Sequence, residues 1–289
     1  MTPALGFIGL GVMGEPMCRN LASRSGEKVL GYDLDGAPLA RLRGAGVEAA
    51  ASAQEIAERC NMVFLSLPGV PEVKTVCAGP GSLMLHIRAG SYVIDLSTTT
   101  VALARDLNSR FAARGVYFAD APVARTREAA EKGTLSVMVG GSEQVFMRIR
   151  PMLAHIGSEI THCGGPGAGQ ATKLINNMVL FQNVVALAEA LKLARKAGLS
   201  ATRVFETLAK GSADSFALRH HGMKAMLPDE FPEHAFPVEY ALKDMEYLLE
   251  FAKQARAELT GAQHTMAALE RAAVAGNRKK YFPVLVKTI

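Results

Sequence analysis

Short apolar runs alternate with helix-length polar segments along the first 160 or so residues, and the alternation stops near residue 164. The runs are ALGFI (4–8), KVLGYD (28–33), NMVFLSL (61–67), SYVIDL (91–96), VYFADAP (116–122) and TLSVMVGG (134–141). Near-continuous apolar runs bounded by turn residues read as strands buried on both faces. Helices are expected at 13–25, from the capping box Ser52-Ala-Gln-Glu55 to Cys60, from the Ser97-Thr-Thr-Thr100 run to Arg114, and at roughly 142–153. Such alternation predicts a doubly wound parallel sheet with helices on both faces. The loops 9–14, 66–71, 96–99 and 122–127 then follow strand C-termini and should gather at one edge, where sheets of this kind bind ligands.

Beyond Gly164 helical periodicity dominates, with helices expected at 166–196, 200–210, about 215–227, 237–259 and 261–275. The first of these is the most unusual stretch of the chain. A glycine-rich entry, GGPGAG (164–169), opens into about 30 residues without Pro or interior Gly, roughly 45 Å of helix. From Leu174 to Leu187 it is apolar almost all round, which predicts burial along most of its length and a course through the interdomain groove. Lys173 and Asn177 lie four apart and so share a helix face. A lysine there is either a chemical group or a snorkelling side chain with a buried stem.

The glycines of the first loop add chemistry to the pattern. Gly9-Leu-Gly11-Val12-Met13-Gly14 follows a strand and opens a helix, the context in which G-x-G-x-x-G holds a dinucleotide. Gly9 makes the turn, Gly11 lets backbone approach a pyrophosphate, and Gly14 permits close packing of helix on strand. Asp33 ends the second strand 19 residues after Gly14, where a carboxylate accepts from a ribose 2′-OH. That favours NAD, with NADP kept open by Arg41 and Arg43 nearby; Asp33 also reads as a turn residue before Asp35-Gly36. The fold expected is therefore an α/β Rossmann-type domain (1–163) followed by an all-α C-terminal domain (164–289), divided at Gly164-Gly-Pro-Gly167.

Composition narrows the setting. The chain has 289 residues, 49% hydrophobic and 20% charged, and a net charge of +5 from 32 basic and 27 acidic residues. That is a globular balance, and no basic run beyond the short NRKKY suggests nucleic acid. Cys18, Cys60, Cys77 and Cys163 show no metal-ligand spacing and read as reduced thiols of a cytoplasmic protein. The apolar N-terminus lacks a basic leader, and Asn176, Asn177, Gln182, Asn183 and Glu189 interrupt the long helix, so no membrane partner is expected.

A dinucleotide loop, a lysine on a buried helix and polar loops at one sheet edge suggest hydride transfer. Hydride delivered to a carbonyl leaves an alkoxide that needs a proton from a placed acid. A lysine ammonium partly withdrawn from water gives its proton up more readily, and an asparagine one turn on can hold a substrate oxygen without adding charge.

The motifs GFIGLGVMG (6–14), Leu67-Pro68, IDLSTTT (94–100), DAPV (120–123), GTLSVMVGG (133–141), GPGAGQATKLINN (165–177) and Lys243-Asp244, in this order, resemble the β-hydroxyacid dehydrogenases. That group includes 3-hydroxyisobutyrate dehydrogenase and tartronate semialdehyde reductase. The resemblance implies Lys173 as acid/base and Asn177 and Ser97 as substrate ligands. It also implies that Val12, Met13, Leu67, Pro68, Thr98 and Lys243 lie with the three glycines and Asp33 along the cofactor. Ser97 and Thr98 also read as helix caps, and Lys243 as a surface partner of Glu246.

One departure bears on the substrate. After DAPV the family usually carries Ser-Gly-Gly; here Ala124-Arg125-Thr126 stands in that substrate loop. A guanidinium fork suits an oxyanion, and PVARTREAAEKGTL with SEITHCGGPGAG resembles the 3-sulfolactaldehyde reductase branch, with Ala124 in place of a glycine. The other reading turns Arg125 outward towards Glu128 or Glu131. The partner expected is a small anionic hydroxyacid or its semialdehyde, in a homodimer or homotetramer. A 6-phosphogluconate dehydrogenase fits less well, because the chain is short and Gln170 stands where that enzyme has His. Imine reductases and non-catalytic dehydrogenase-like modules lose the lysine that this chain keeps.

Overall fold

The structure, a computed structural model, describes residues 4–233 and 235–289. The expected strands form as β1 (Ala4–Ile8), β2 (Val29–Tyr32), β4 (Cys60–Leu65), β5 (Tyr92–Asp95), β6 (Tyr117–Asp120) and β8 (Leu135–Gly140), joined by β3 (Val47–Ala49), β7 (Val123–Ala124) and β9 (Gly157–Gly164). The sheet runs β3-β2-β1-β4-β5-β6-β8-β7, with β9 on β8. Strands β1 to β6 are all parallel, and β8 runs against β6 and β7 while keeping β9 parallel to itself.

Helices cover both faces: α1 (Gly14–Arg24), α2 (Gly36–Leu42), α3 (Ala53–Arg59), α4 (Val70–Ala78), α5 (Leu83–His86), α6 (Val101–Ala112), α7 (Arg127–Lys132) and α8 (Glu143–Leu153). Two separate apolar cores follow from this. Phe7, Met17, Leu21, Phe64, Val137 and Ile149 fill one face, and Ile8, Leu65, Val73, Phe111 and Phe118 the other. Ser52 caps α3, its Oγ accepting from the Glu55 N–H at 3.1 Å, while Glu55 Oε2 reaches back one residue past the N-cap to accept from the Ala51 N–H at 2.7 Å. The Thr100 hydroxyl, not Ser97 or Thr98, caps α6 by accepting from Leu103 N–H.

Helix α9 runs unbroken from Ala168 to Lys196. The chain divides into two compact units inside this helix, the first ending at Lys173 and the second spanning Leu174–Ile289. The division falls later than the change of sequence pattern at Gly164, because the first turn of α9 is hydrogen-bonded to the sheet edge, as described below. The second unit adds α10 (Ala201–Leu208), a π-helical turn at Leu218–Met226, α11 (Val238–Gln254) and α12 (Thr260–Ala272), ending in a 3-10 segment at Phe282–Lys287. Within it Phe181 packs edge-on to Phe282 at 5.0 Å and lies 6.1 Å from Phe236.

The burial of α9 departs from expectation. Leu174, Phe181, Val184 and Leu187 are buried, but Ile175 and Val179, one turn apart, remain 47% and 49% exposed. The helix is long and apolar enough by composition to cross a membrane, yet its buried stripe is covered by protein.

Candidate active site

The glycine-rich loop is fixed by close backbone approach. Gly9 has φ +91°, a left-handed conformation, and a Cβ there would strike the Ser66 carbonyl oxygen at the end of β4. A Cβ on Gly14 would strike the Gly9 carbonyl oxygen, so the first turn of α1 sits directly on the loop. Asp33 closes the other side, Oδ2 accepting from the Leu10 N–H and Oδ1 from the Asp35 N–H at 2.8 Å. A carboxylate has about four lone-pair sites, so two remain for ribose hydroxyls. Val12 is exposed and Met13 half-buried. This cradle fits a dinucleotide: space above Gly11, the positive dipole end of α1, and an acid at the end of β2.

Two strands along the same edge, the loop after β5 is held at three points. The Ser97 hydroxyl oxygen accepts from the Leu67 N–H at 2.9 Å, and the Ser97 N–H donates to Asp95 Oδ1 at 3.0 Å. Gln170, wholly buried in the first turn of α9, donates from Nε2 to the Ser97 carbonyl oxygen at 2.8 Å and accepts at Oε1 from the Thr99 N–H at 3.0 Å. Residues three apart on a helix share a face, so the amide that grips Ser97–Thr99 sets the side from which Lys173 emerges.

Asp120, at the C-terminus of β6, fixes the same helix end. Its Oδ1 accepts from the Gly167 N–H and its Oδ2 from the Gln170 N–H, both at 2.8 Å. The carboxyl is fully buried, and that burial pushes its pKa up to about 6 against the pull of these backbone donors. A carboxylate at a helix N-terminus answers donors that would otherwise lie unpaired.

Further along α9, buried Asn177 donates from Nδ2 to Asp244 Oδ2 at 2.7 Å, and its Oδ1 accepts from Asn176 Nδ2 at 3.1 Å. Lys243 lies 3.2 Å from Asp244 Oδ1 and over the rings of Tyr240 and Tyr247.

The substrate-loop residues are also ordered. Ala124 of β7 pairs with Ser136 of β8, and the Thr126 hydroxyl caps α7 by accepting from the Ala129 N–H. Arg125 between them has φ +87°, where a glycine would be unstrained. Its Nη1 donates to the Thr134 carbonyl oxygen at 2.6 Å and to Ser158 Oγ at 3.2 Å. Glu128 pairs with Lys132, and Glu131 with Arg127.

A family profile described as the NAD binding domain of 6-phosphogluconate dehydrogenase matches residues 4–165. A second, described as the NAD-binding of NADP-dependent 3-hydroxyisobutyrate dehydrogenase, matches residues 167–289. The 2-(hydroxymethyl)glutarate dehydrogenase of Eubacterium barkeri is 37% identical over 88% of this chain and 84% of its own. The 2-hydroxy-3-oxopropionate reductase of Escherichia coli (strain K12) is 35% identical over 86% and 84%. This chain belongs to the β-hydroxyacid dehydrogenase family.

As a member of that family it is an NAD(P)-dependent oxidoreductase. The fold agrees throughout. The Mycobacterium tuberculosis 3-hydroxyisobutyrate dehydrogenase with L-serine superposes with a TM-score of 0.89 at 30% identity, covering 100% of this chain and 99% of that one. An imine reductase from Myxococcus stipitatus, 18% identical with a TM-score of 0.67, shares the fold.

Three residues of this dehydrogenase went without a role in the sequence: Gln170, Asp120 and Asp244. Each lies inside a motif, GPGAGQATKLINN, DAPV or Lys243-Asp244, but its partners are 47 to 73 residues away. Only the pairing of buried polar types would have pointed to them.

Proposed function

We propose that this dehydrogenase interconverts a small anionic semialdehyde and its β-hydroxyacid, with NAD preferred and Lys173 as the acid/base. The observation that carries this reading is the Gln170 amide, which ties the Ser97–Thr99 loop to the turn of α9 that bears Lys173. When bound, the nicotinamide supplies or accepts the hydride. Lys173 gives the proton to the alkoxide oxygen in reduction and takes it back in oxidation. Ser97 and Asn177 bind substrate oxygens, the latter oriented by Asp244.

The substrate's acid group falls to the 124–126 loop, where Arg125 supplies a permanent cation whose Nη1 rests on the Thr134 carbonyl oxygen and Ser158 Oγ. Its left-handed φ supports this reading, since strain in a bulky residue collects at functional loops. A sulfonate of the 3-sulfolactaldehyde type, or the carboxylate of tartronate semialdehyde, suits such a fork. The second candidate has support from the Escherichia coli relative, whose name carries 2-hydroxy-3-oxopropionate, the same molecule. Steady-state NADH oxidation with each semialdehyde, repeated on Arg125→Ala, tests the reading. Preference for sulfolactaldehyde that vanishes in the variant makes Arg125 the selector. Preference for tartronate semialdehyde that the variant leaves alone makes Arg125 a surface residue. No turnover of either would overturn the substrate class.

The half-exposed Ile175 and Val179 stripe supports a homodimer or homotetramer, since a second copy would cover it. A monomeric mass by light scattering at micromolar concentration would refute that. A cytoplasmic enzyme without membrane or nucleic-acid partners is the setting these readings favour.

A further inference from the structure

The charged residues that line the cleft beside the glycine-rich loop are Glu15, Arg19, Asp35, Arg41, Arg127 and Glu131, and Leu10 and Gly11 line it too. Glu15 stands in the first turn of α1 with a side chain only 15% exposed, although it carries a full charge. Arg41 of α2 reaches it with Nε at 3.1 Å from both carboxylate oxygens and Nη2 at 2.7 Å from Oε2. Arg19 adds Nη2 to Oε1 at 2.6 Å. These guanidinium groups, Arg41 foremost, hold the Glu15 carboxyl below the usual carboxylate range. Arg127 and Glu131 neutralise each other at 3.0 Å. The cleft's three arginines are thus matched by Glu15, Glu131 and Asp35, and it has no net charge.

The cleft adjoins the acid expected to take a ribose hydroxyl. Asp33 is hydrogen-bonded to Leu10 and Asp35, and both of those residues line it. A phosphate ester on that ribose brings about −1.5 to −2 charges at neutral pH, and the partner it needs is a free guanidinium fork. Arg41 lines the same cleft as Leu10 and Asp35, and Glu15 engages its Nε and Nη2.

The geometry points to Glu15 as the residue that sets the choice between the two nicotinamide dinucleotides, by occupying the Arg41 guanidinium that would otherwise receive a 2′-phosphate. Asp33 by itself repels that phosphate; Glu15 removes the cation that could offset the repulsion. The inference rests on the reading of the loop and Asp33 as the dinucleotide cradle.

Calorimetric titration of the whole protein with 2′,5′-ADP and with 5′-AMP tests it without turnover. Glu15→Gln keeps the shape, leaves Arg41 only a neutral amide acceptor in place of the carboxylate, and gives the cleft one net positive charge. It is expected to tighten 2′,5′-ADP by about tenfold, the scale of one charge-assisted hydrogen bond, and to leave 5′-AMP within about twofold. Adding Arg41→Ala should abolish the gain, and Glu15→Ala should reproduce it if the glutamine variant folds poorly. An unchanged preference in a folded Glu15 variant overturns the inference, as does a gain that survives loss of Arg41. Wild-type protein that binds neither nucleotide would instead overturn the cradle reading on which it stands.

Discussion

The side-chain amide of Gln170 donates to the Ser97 carbonyl oxygen at 2.8 Å while its own carbonyl accepts from the Thr99 N–H. One planar group therefore satisfies a donor and an acceptor of a buried loop. Gln170→Leu keeps the volume and leaves both backbone groups unpaired, at about 1–3 kcal/mol for each group that water does not reach. Urea unfolding should show that loss. Turnover should fall with it, because the loop carrying Ser97 is no longer referenced to the Lys173 helix. A variant with the wild-type unfolding midpoint would mean that the loop is held by Leu67 and Asp95 alone.

Asp120 offers the companion test at the other end of that turn. Asp120→Ala strands the Gly167 and Gln170 N–H groups in a fully buried place, so a loss of several kcal/mol is expected. For a chain of this size each kcal/mol lowers Tm by about 2–4 °C, so calorimetry resolves the effect. Asp120→Asn retains one acceptor oxygen but turns an NH2 towards a second donor, and should fall between. Equal Tm values for all three proteins would show that the helix start needs no anchor.

The glycine-loop positions were legible because their constraint is local: Gly9 and Gly14 meet backbone within or beside the loop, Gly11 leaves open space above it, and the spacing records all three. That Lys173 and Asn177 stand one turn apart on a single helix was legible from helical spacing in an apolar stretch. What was not legible depends on distant partners. The edge strand β9 reads GSEITHCG, half polar because its outer face is solvated, and it carries no apolar run to announce it. In the sequence Gln170 is only the residue standing in place of a histidine, and Asp244 only the neighbour of Lys243, since neither position reveals what folds against it. The uncovered side of α9 was hidden for a related reason: an apolar sequence does not say how much of a surface its own chain can cover.

Lys173 should behave as a reacting group rather than a packing residue. Lys173→Ala is expected to bind NADH as the wild type does and to lose about 10²–10⁴-fold in kcat, the range for removal of a placed acid. Fluorescence titration of NADH separates binding from chemistry. Near-wild-type kcat would take Lys173 out of the mechanism.

The Asn177–Asp244 pair makes a coupled prediction. If Asp244 acts by holding the Asn177 amide in one orientation, Asp244→Ala and Asn177→Ala should each reduce kcat/KM. The double variant should then be little worse than either. Additive losses would show that Asp244 acts elsewhere, through Lys243 3.2 Å away, and not through the asparagine.

Acid stability should depend on His221. Its ring is buried in the second unit against Tyr281 and Phe282, with Nδ1 hydrogen-bonded to the Tyr281 hydroxyl. Burial, reinforced by the neighbouring His220, pushes its pKa down from 6.5 to about 4. Between those values the unfolded chain binds a proton that the folded chain refuses, so stability rises with pH across the window. The contribution is fully present above pH 6.5 and is lost as pH falls towards 4, by about 3 kcal/mol at most. His221→Leu removes the titration together with the hydrogen bond. It should therefore be less stable than wild type at pH 7.5, and the gap should narrow as the medium is acidified. The check is the difference in unfolding free energy between the two proteins, measured in urea at several pH values. A difference that stays constant from pH 7.5 to pH 4.5 would show that His221 titrates alike in the folded and unfolded chain, and that its burial carries no acid sensitivity.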